Sequence, residues 1–228
     1  MTWADWIRDE IEVEPSLYAA DFTRLGEQID ALLGAGCRIF HFDVGDAHFV
    51  PPVTIGPVVL RSIAPMIHAA GGVLDCHLMV SDPMHHFEEF AASGADSVTF
   101  HVEASDDPAG VGAAARARGL ALAVAFNPGT EPAAAAEFAA AAGAEMVLCM
   151  SIVPGYSGQA FTPEALGRIA ELARLVDEPI QVDGGIGVDN ASAARAAGAS
   201  LLVAGASVFA DQDPAAAYLR IRAAASRG

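Results

Sequence analysis

The segment Leu33–Asp43, LGAGCRIFHFD, carries the pattern that decides the fold. A helix-like stretch ends at Ala-Gly, and an almost continuous apolar run follows the glycine. Three other segments repeat this pattern: ASGADSVTFHVE (92–103), AAGAEMVLCM (141–150) and AAGASLLVAG (196–205). Glycine suits the end of a helix, because the left-handed conformation that closes many helices costs it nothing. Each copy therefore predicts a helix, a glycine cap and a buried strand.

Working outward from these copies, eight apolar runs can be laid out along the chain. The predicted strands are 11–17, 37–44, 72–78, 96–102, 120–126, 145–150, 179–183 and 200–204. The best predicted helices are 22–34, 84–93, 108–117, 132–142, 164–175, 189–197 and 213–225. Strands that are apolar throughout are typical of a parallel sheet covered on both faces. The alternation predicts an α/β protein, a (β/α)8 TIM barrel, with residues 1–228 forming a single catalytic domain.

A doubly wound open sheet is the alternative fold for alternating strands and helices. That fold would need a glycine-rich phosphate fingerprint directly after the first strand. The segment Glu14–Phe22, EPSLYAADF, contains no GxGxxG. The barrel is therefore the favoured interpretation.

Composition and charge exclude several classes of partner. The formal net charge is -17, so no basic stripe is available for nucleic acid. No apolar run reaches the roughly 18 residues of a membrane span, and the acidic N-terminus is unlike a signal peptide. We therefore expect a cytoplasmic protein with no nucleic-acid or membrane partner. The three cysteines (Cys37, Cys76 and Cys149) lie in apolar runs and are predicted to be buried thiols.

Polar side chains collect where the predicted strands end, which is the rim where a barrel carries its site. His41 and Asp43 are two residues apart on one strand, so both face the barrel interior. With His77 on the next strand they make a plausible divalent-metal site, and Asp183 could complete a His2Asp2 set. The alternative is that His41 is a satisfied core histidine and Asp43 a capping group. The presence of His77 and Asp183 at other strand ends favours the metal site.

Glycine segments follow the sixth, seventh and eighth predicted strands. They are Gly155-Tyr156-Ser157-Gly158, Gly184-Gly185 and Gly205-Ala206. The last two loops are where barrels commonly hold phosphate, and glycine lets backbone N–H groups approach the anion. Together these segments predict a phosphate-binding site in which backbone N–H groups hold the anion and Lys or Arg contribute little.

The chain as a whole resembles the ribulose-phosphate 3-epimerase family. The resemblance rests on five segments in order, HFDVGDAHFVPP, LDCHLMV, FNPGT, MSIVPGYSGQAF and VDGG, and it covers nearly the whole chain. It implies an isomerase of carbohydrate metabolism and the pentose phosphate pathway. Such an enzyme inverts C3 of D-ribulose 5-phosphate to give D-xylulose 5-phosphate, through an enediolate that a metal ion stabilises.

The resemblance also implies roles for individual residues. The metal ligands would be His41, Asp43, His77 and Asp183, with Asp43 and Asp183 as the acid–base pair. The substrate contacts would be Ser16, His77, Gly155, Tyr156, Ser157, Gly158, Gly184, Gly185, Gly205 and Ala206. The cofactor would be one divalent ion, and His2Asp2 suits Zn, Fe(II), Mn or Co. Barrels of this kind often assemble, so a homo-oligomer is expected.

The chain departs from the family's usual motifs at seven positions. They are Gly45, Ala47, Pro52, Val153, Ser157, Ala160 and Ala206. The family usually has Met where this chain has Gly45, which predicts a larger or looser site near the sugar. The departures leave open a paralogue for another ketose phosphate, such as D-allulose 6-phosphate. A sugar-phosphate-binding barrel without catalysis is a further alternative.

Overall fold

Eight parallel strands form the sheet of the protein. The structure is a computed structural model that describes residues 2–8 and 11–227. The strands are β1 (Glu12–Pro15), β2 (Ile39–Gly45), β3 (Val73–Met79), β4 (Ser97–His101), β5 (Ala121–Phe126), β6 (Met146–Met150), β7 (Ile180–Asp183) and β8 (Leu201–Ala204). Every predicted strand is present, and its ends differ from the prediction by at most two residues.

Helices alternate with these strands. They are α1 (Trp3–Trp6), α2 (Leu25–Gly34), α3 (Pro57–Ala69), α4 (Pro83–Ser93), α5 (Pro108–Arg116), α6 (Pro132–Ala142), α7 (Ala165–Leu172), α8 (Ala191–Ala196), α9 (Ala206–Phe209) and α10 (Pro214–Ala225). Short 3-10 turns at Leu17–Ala19 and Val102–Ala104 follow β1 and β4. Within residues 2–8 and 11–227, each helix is too short or too polar to cross a bilayer.

The sheet closes on itself. The strand order is β1-β8-β7-β6-β5-β4-β3-β2, with every neighbouring pair parallel. The two edge strands meet through a parallel bridge between Ser16 and His41. An open doubly wound sheet would leave these edges apart. The predicted (β/α)8 barrel is therefore confirmed.

The glycine repeat has the structural role that the sequence predicts. Gly94 and Gly143 close α4 and α6 in the left-handed conformation, with φ of 101° and 65°. Gly36 and Gly198, the matching glycines of the other copies, also have positive φ. A side chain is disfavoured in this conformation, so glycine marks each return from a helix to a strand.

Helix α3 is not among the best predicted helices. It begins at Pro57, follows a proline-rich run and contains Pro65, and prolines are usually taken as helix breakers. Proline is nevertheless well suited to the first position of a helix. The buried face has helical spacing: Leu60, Ile63, Ala64 and Ile67. That spacing is the signal that identifies the helix in spite of its prolines.

The amino-terminal end of the barrel is sealed by apolar side chains. Trp3 and Trp6 lie edge to face with ring centroids 5.2 Å apart. They pack against residues that point inward from four strands: Ile39, Val73, Met146 and Leu201. The backbone N–H of Trp3 donates to the Glu145 carboxylate at 3.1 Å. The barrel interior is therefore closed at this end, away from the rim that carries the polar residues.

Two polar layers lie above this seal. The lower layer is buried and contains Glu14, His41, Asp75, Thr99 and Gln181. The upper layer follows two residues later on the same strands and contains Ser16, Asp43, His77, His101 and Asp183. The cysteines lie outside both layers, and all three are buried with free thiols, as predicted.

Candidate metal and catalytic site

The four predicted metal ligands come together at the carboxyl rim of the barrel. His41 and Asp43 both point inward from β2, because side chains two residues apart on a strand share a face. Asp43 is directly paired with His77 of β3, and Asp183 ends β7. One ligand atom from each of the four residues lies within 4.8 Å of the others.

The distances within this cluster suit a shared cation. Oδ1 of Asp43 lies 3.1 Å from Nδ1 of His77 and 3.3 Å from Nε2 of His41. The two imidazole nitrogens are 3.3 Å apart, and Oδ2 of Asp183 is 3.9 Å from Nδ1 of His77. Ligands about 2.0–2.1 Å from a zinc ion are roughly 3.3 Å from one another in a tetrahedral site. Two histidines and two carboxylates in this arrangement fit a divalent transition metal.

The Asp75 carboxylate orients His41 by contacting the ring nitrogen that faces away from Asp43 and His77. Nδ1 of His41 lies 2.9 Å from Oδ2 of Asp75, and both side chains are buried. The other carboxylate oxygen of Asp75 accepts from Ser97 Oγ at 2.8 Å and from Thr99 Oγ1 at 2.9 Å. Such a carboxylate–histidine contact fixes the tautomer and leaves Nε2 free to bind metal.

A second histidine orients His77. Nε2 of His77 lies 2.9 Å from Nε2 of His101, and Nδ1 of His101 lies 3.4 Å from the Glu103 carboxylate. If Nδ1 of His77 binds metal, its Nε2 carries the proton and donates to His101. His101 then carries its own proton on Nδ1, the nitrogen near Glu103. Both predicted histidine ligands therefore have an outer partner, as metal-binding histidines usually do.

The two carboxylates have opposite tendencies to ionise. Burial disfavours the charged form of Asp43, but the charge and hydrogen bonds of His41 and His77 outweigh it and hold the pKa well below its usual range. Burial, followed by repulsion from Asp43, raises the pKa of Asp183 to about 7. One carboxylate is therefore charged near neutral pH, while the other readily carries a proton.

The carboxylates around His41 favour the protonated form of its ring. Burial favours the neutral ring, yet the carboxylates of Asp43, Asp75 and Glu14 raise the pKa of His41 well above its ordinary value. The imidazolium balances part of the negative charge in the cluster. A bound cation would take over that role and displace the proton.

The two oxygens of Asp43 face different partners. Oδ1 points to the histidine nitrogens, whereas Oδ2 accepts a 2.5 Å hydrogen bond from the hydroxyl of Ser16. The same carboxylate can therefore offer one oxygen to a metal ion and the other to a substrate proton.

A cavity of about 270 Å³ opens above the cluster. Most of the predicted site residues line it: Ser16, Asp43, Gly155, Tyr156, Ser157, Gly158, Asp183, Gly184, Gly185, Gly205 and Ala206. His41 and His77 do not line it, because both are fully buried below its floor. His77 was predicted to contact the substrate as well, and it lies outside the cavity wall.

The segments predicted to bind phosphate contain glycines at positions where a side chain would meet neighbouring protein atoms. A Cβ on Gly184 would lie 2.5 Å from Ser151 Oγ, and one on Gly185 would lie 2.2 Å from the backbone N of Phe161. A Cβ on Gly205 would lie 3.3 Å from the Ser157 hydroxyl oxygen. Among the described residues that line the cavity, none is Lys or Arg. A phosphate here would be held by backbone N–H groups and hydroxyls.

The prediction that Gly45 enlarges or loosens the site is wrong. A Cβ on Gly45 would lie 2.8 Å from both the Pro52 carbonyl oxygen and a Val50 methyl. The loop after β2 fills this space, and the Thr54 hydroxyl accepts from the Gly45 N–H at 2.7 Å. The missing side chain is therefore replaced by loop packing and adds no room around the sugar.

The residues that the motif analysis missed lie in the lower polar layer. Glu14, Asp75, Thr99 and Gln181 stand two residues before Ser16, His77, His101 and Asp183. The period of two places each of them beneath a residue of the upper layer. That spacing is visible in the sequence and could have identified all four.

The chain is similar to known proteins over most of its length. Residues 12–209 match the model of the ribulose-phosphate 3 epimerase family. Ribulose-phosphate 3-epimerase of Escherichia coli K12 is 38% identical over 206 residues, which are 88% of this chain and 90% of the relative. That of Mycobacterium tuberculosis H37Rv is 38% identical over 217 residues, which are 92% of this chain and 91% of the relative.

The chain belongs to the ribulose-phosphate 3-epimerase family. It is therefore an isomerase of the epimerase type, as the motifs predicted. Membership of this epimerase family was anticipated from five short segments, and the matched region contains all of them.

Solved structures support the barrel of this epimerase-family chain. A 3-hexulose-6-phosphate synthase has a TM-score of 0.70 at 24% identity and covers 95% of this chain and 99% of its own. A KGPDC from Streptococcus mutans has a TM-score of 0.72 at 15% identity, with 96% and 99% covered. At these identities the likeness concerns the fold alone.

Proposed function

We propose that the protein interconverts D-ribulose 5-phosphate and D-xylulose 5-phosphate, with Asp43 and Asp183 as the acid–base pair. One observation carries the proposal: two carboxylates in a single cavity have pKa values displaced in opposite directions. Such pairs divide the roles of base and acid between them. The family relatives support the choice of substrate.

Inversion at C3 requires a proton to leave one face and another to arrive on the opposite face. Asp43, held ionised by its histidine neighbours, accepts the C3 proton through Oδ2. Asp183, whose carboxyl group lines the same cavity, delivers a proton to the other face. In the reverse reaction the two residues exchange roles, so each must be able to hold the proton.

A divalent ion fits the donor set of His41, Asp43, His77 and Asp183. When bound to these residues, such an ion would supply Lewis-acid stabilisation of the negative charge that forms on the sugar oxygens. Asp75 and His101 hold the two imidazoles in the required orientation. We propose Zn, Fe(II), Mn or Co as the candidates, since this mixed ligand set suits all four.

The phosphate of the substrate is proposed to bind Gly184, Gly185, Gly205 and Ala206 through their backbone N–H groups. Ser157 lies close enough to Gly205 for its hydroxyl to join them. Tyr156 is 57% exposed at the mouth of the cavity and would cover the sugar from above.

A substrate panel with metal-reconstituted protein tests the proposal. Turnover of D-ribulose 5-phosphate to D-xylulose 5-phosphate, with deuterium uptake at C3 in D2O, is the expected result. Turnover confined to D-allulose 6-phosphate would instead support the paralogue. Binding of both sugars without deuterium uptake, when metal is supplied, would favour a binding barrel and refute the enzyme.

Three further expectations remain proposals. We propose that residues 1–228 act as one catalytic domain, that the protein is cytoplasmic and that it forms a homo-oligomer. Sedimentation of the purified chain tests the last of these directly. A mass equal to a single chain at micromolar concentration would contradict it.

A further inference from the structure

The side chain of Gln181 lies at the centre of the lower polar layer. Its Nε2 is 2.8 Å from the carboxylate of Glu14 on β1 and 3.0 Å from Oδ2 of Asp75 on β3. All three side chains are buried in the barrel interior. One amide group therefore connects two carboxylates across the barrel.

The oxygen of Asp75 that binds Gln181 is the same oxygen that contacts His41. Oδ2 lies 2.9 Å from Nδ1 of His41, whereas Oδ1 is occupied by two hydroxyls from β4. Glu14 also lies near this nitrogen, at 3.8 Å. The imidazole therefore has two carboxylates within reach, and only one of them makes the short contact.

The amide explains how the two carboxylates remain in these positions. Two buried carboxylates repel each other unless donors lie between them. Both N–H groups of Gln181 are directed at them, because its nitrogen is within hydrogen-bond distance of each. Without these donors, Glu14 and Asp75 would compete for the Nδ1–H of His41.

We propose that Gln181 is a positioning residue of the metal site, which acts by holding Asp75 on Nδ1 of His41. The bond from Asp75 turns Nε2 of His41 towards Asp43 and His77, where the cation fits. Gln181 touches no ligand atom itself. This inference rests on the proposed metal dependence of the enzyme.

The test compares Co2+ binding to metal-free protein in four variants. Gln181→Met and Gln181→Glu both remove the amide N–H groups with little change in size. Gln28→Met is the matched control, since Gln28 is also buried but lies on α2 and accepts from the Asp21 N–H. The double exchange Glu14→Gln with Gln181→Glu keeps one amide and one carboxylate in the pair.

Both single changes at Gln181 should weaken Co2+ binding about tenfold, the lower end of the effect of losing an outer partner. They should also alter the absorption spectrum of the bound ion, which reports its ligand geometry. Gln28→Met should leave both unchanged, and the double exchange should recover most of the affinity.

Co2+ affinity and spectrum within twofold of the wild type in both Gln181 variants would overturn the role of Gln181 alone. Equal losses in Gln28→Met would do the same, because the effect would then reflect general loss of stability. Failure of the wild-type protein to bind Co2+ would overturn the metal assignment itself, and this inference with it. The outcomes therefore separate the two proposals.

Discussion

The hydroxyl of Ser16 donates a 2.5 Å hydrogen bond to Oδ2 of Asp43, and this leaves Oδ1 to face His41 and His77. Ser16 also forms the backbone bridge to His41 that closes the barrel. The residue that completes the sheet thus also directs the proposed base. A shift of β1 relative to β2 would therefore disturb both the closure of the barrel and the orientation of Asp43.

Replacement of Ser16 by Ala should lower kcat/KM roughly tenfold to a hundredfold, because a hydrogen bond to a charged group is worth about 1.5–3 kcal/mol. Steady-state kinetics measures the change. Ser62→Ala is the control, since Ser62 lies on the exposed face of α3 and donates to the Val58 carbonyl of the same helix. Equal kinetics in the two variants would contradict a role for Ser16.

Asp43→Asn and Asp183→Asn should each reduce epimerisation by at least about a thousandfold. An amide of the same shape cannot accept or deliver the C3 proton, and general acid–base catalysis contributes about 10²- to 10⁴-fold. A coupled assay for D-xylulose 5-phosphate reports the rate. Rates like that of the wild type in both variants would refute the two-carboxylate mechanism.

The affinity of the protein for an added divalent metal ion should fall as pH is lowered. The raised pKa of His41 and the pKa of about 7 at Asp183 mean that protons occupy ligand atoms on the acidic side of neutrality. For each proton that the metal ion must displace, its affinity should fall by up to about tenfold for every unit by which pH is lowered. Titration with Mn2+ at several pH values measures the slope, and a flat profile from about pH 6 to 8 would contradict competition by protons.

His101→Gln should weaken metal binding about tenfold to a hundredfold, because His77 loses the partner that holds its ring. His85→Gln provides the control on the solvent-facing side of α4. Calorimetry with metal-free protein measures both. Unchanged affinity in His101→Gln would mean that packing alone fixes His77.

Ala47→Gly should stabilise the protein by about 0.5–1 kcal/mol, since Ala47 is held at φ 61°, where a side chain is disfavoured. The control is Ala210→Gly, which replaces an alanine with ordinary φ of -76° and should be destabilising. Urea unfolding gives both free energies. A loss of stability in Ala47→Gly would show that the loop contacts of its methyl group outweigh the strain.

The upper polar layer could be predicted because each of its members ends a strand within a recognisable segment. Glu14 and Gln181 could not be paired in this way, since 167 residues separate them and neither belongs to a motif. Only closure of the barrel turns the side chains of β1, β3 and β7 towards one interior. Their position below the motif residues could be predicted from the period of two, but their hydrogen bonds could not.

The loop after β2 illustrates a second limit. Gly45 suggested an enlarged site because a missing side chain was assumed to leave space. The chain folds back instead, and Val50 and Pro52 occupy the space. Whether a loop fills a gap depends on its own conformation, which local sequence patterns do not determine.

The cavity wall, which among the described residues contains neither Lys nor Arg, has a kinetic consequence. A chain with 29 acidic and 12 basic residues repels a sugar phosphate at long range. Salt screens such repulsion over a Debye length of about 10 Å at 0.1 M. Substrate encounter should therefore quicken as ionic strength rises, the reverse of the behaviour of an enzyme whose positive field draws its substrate in.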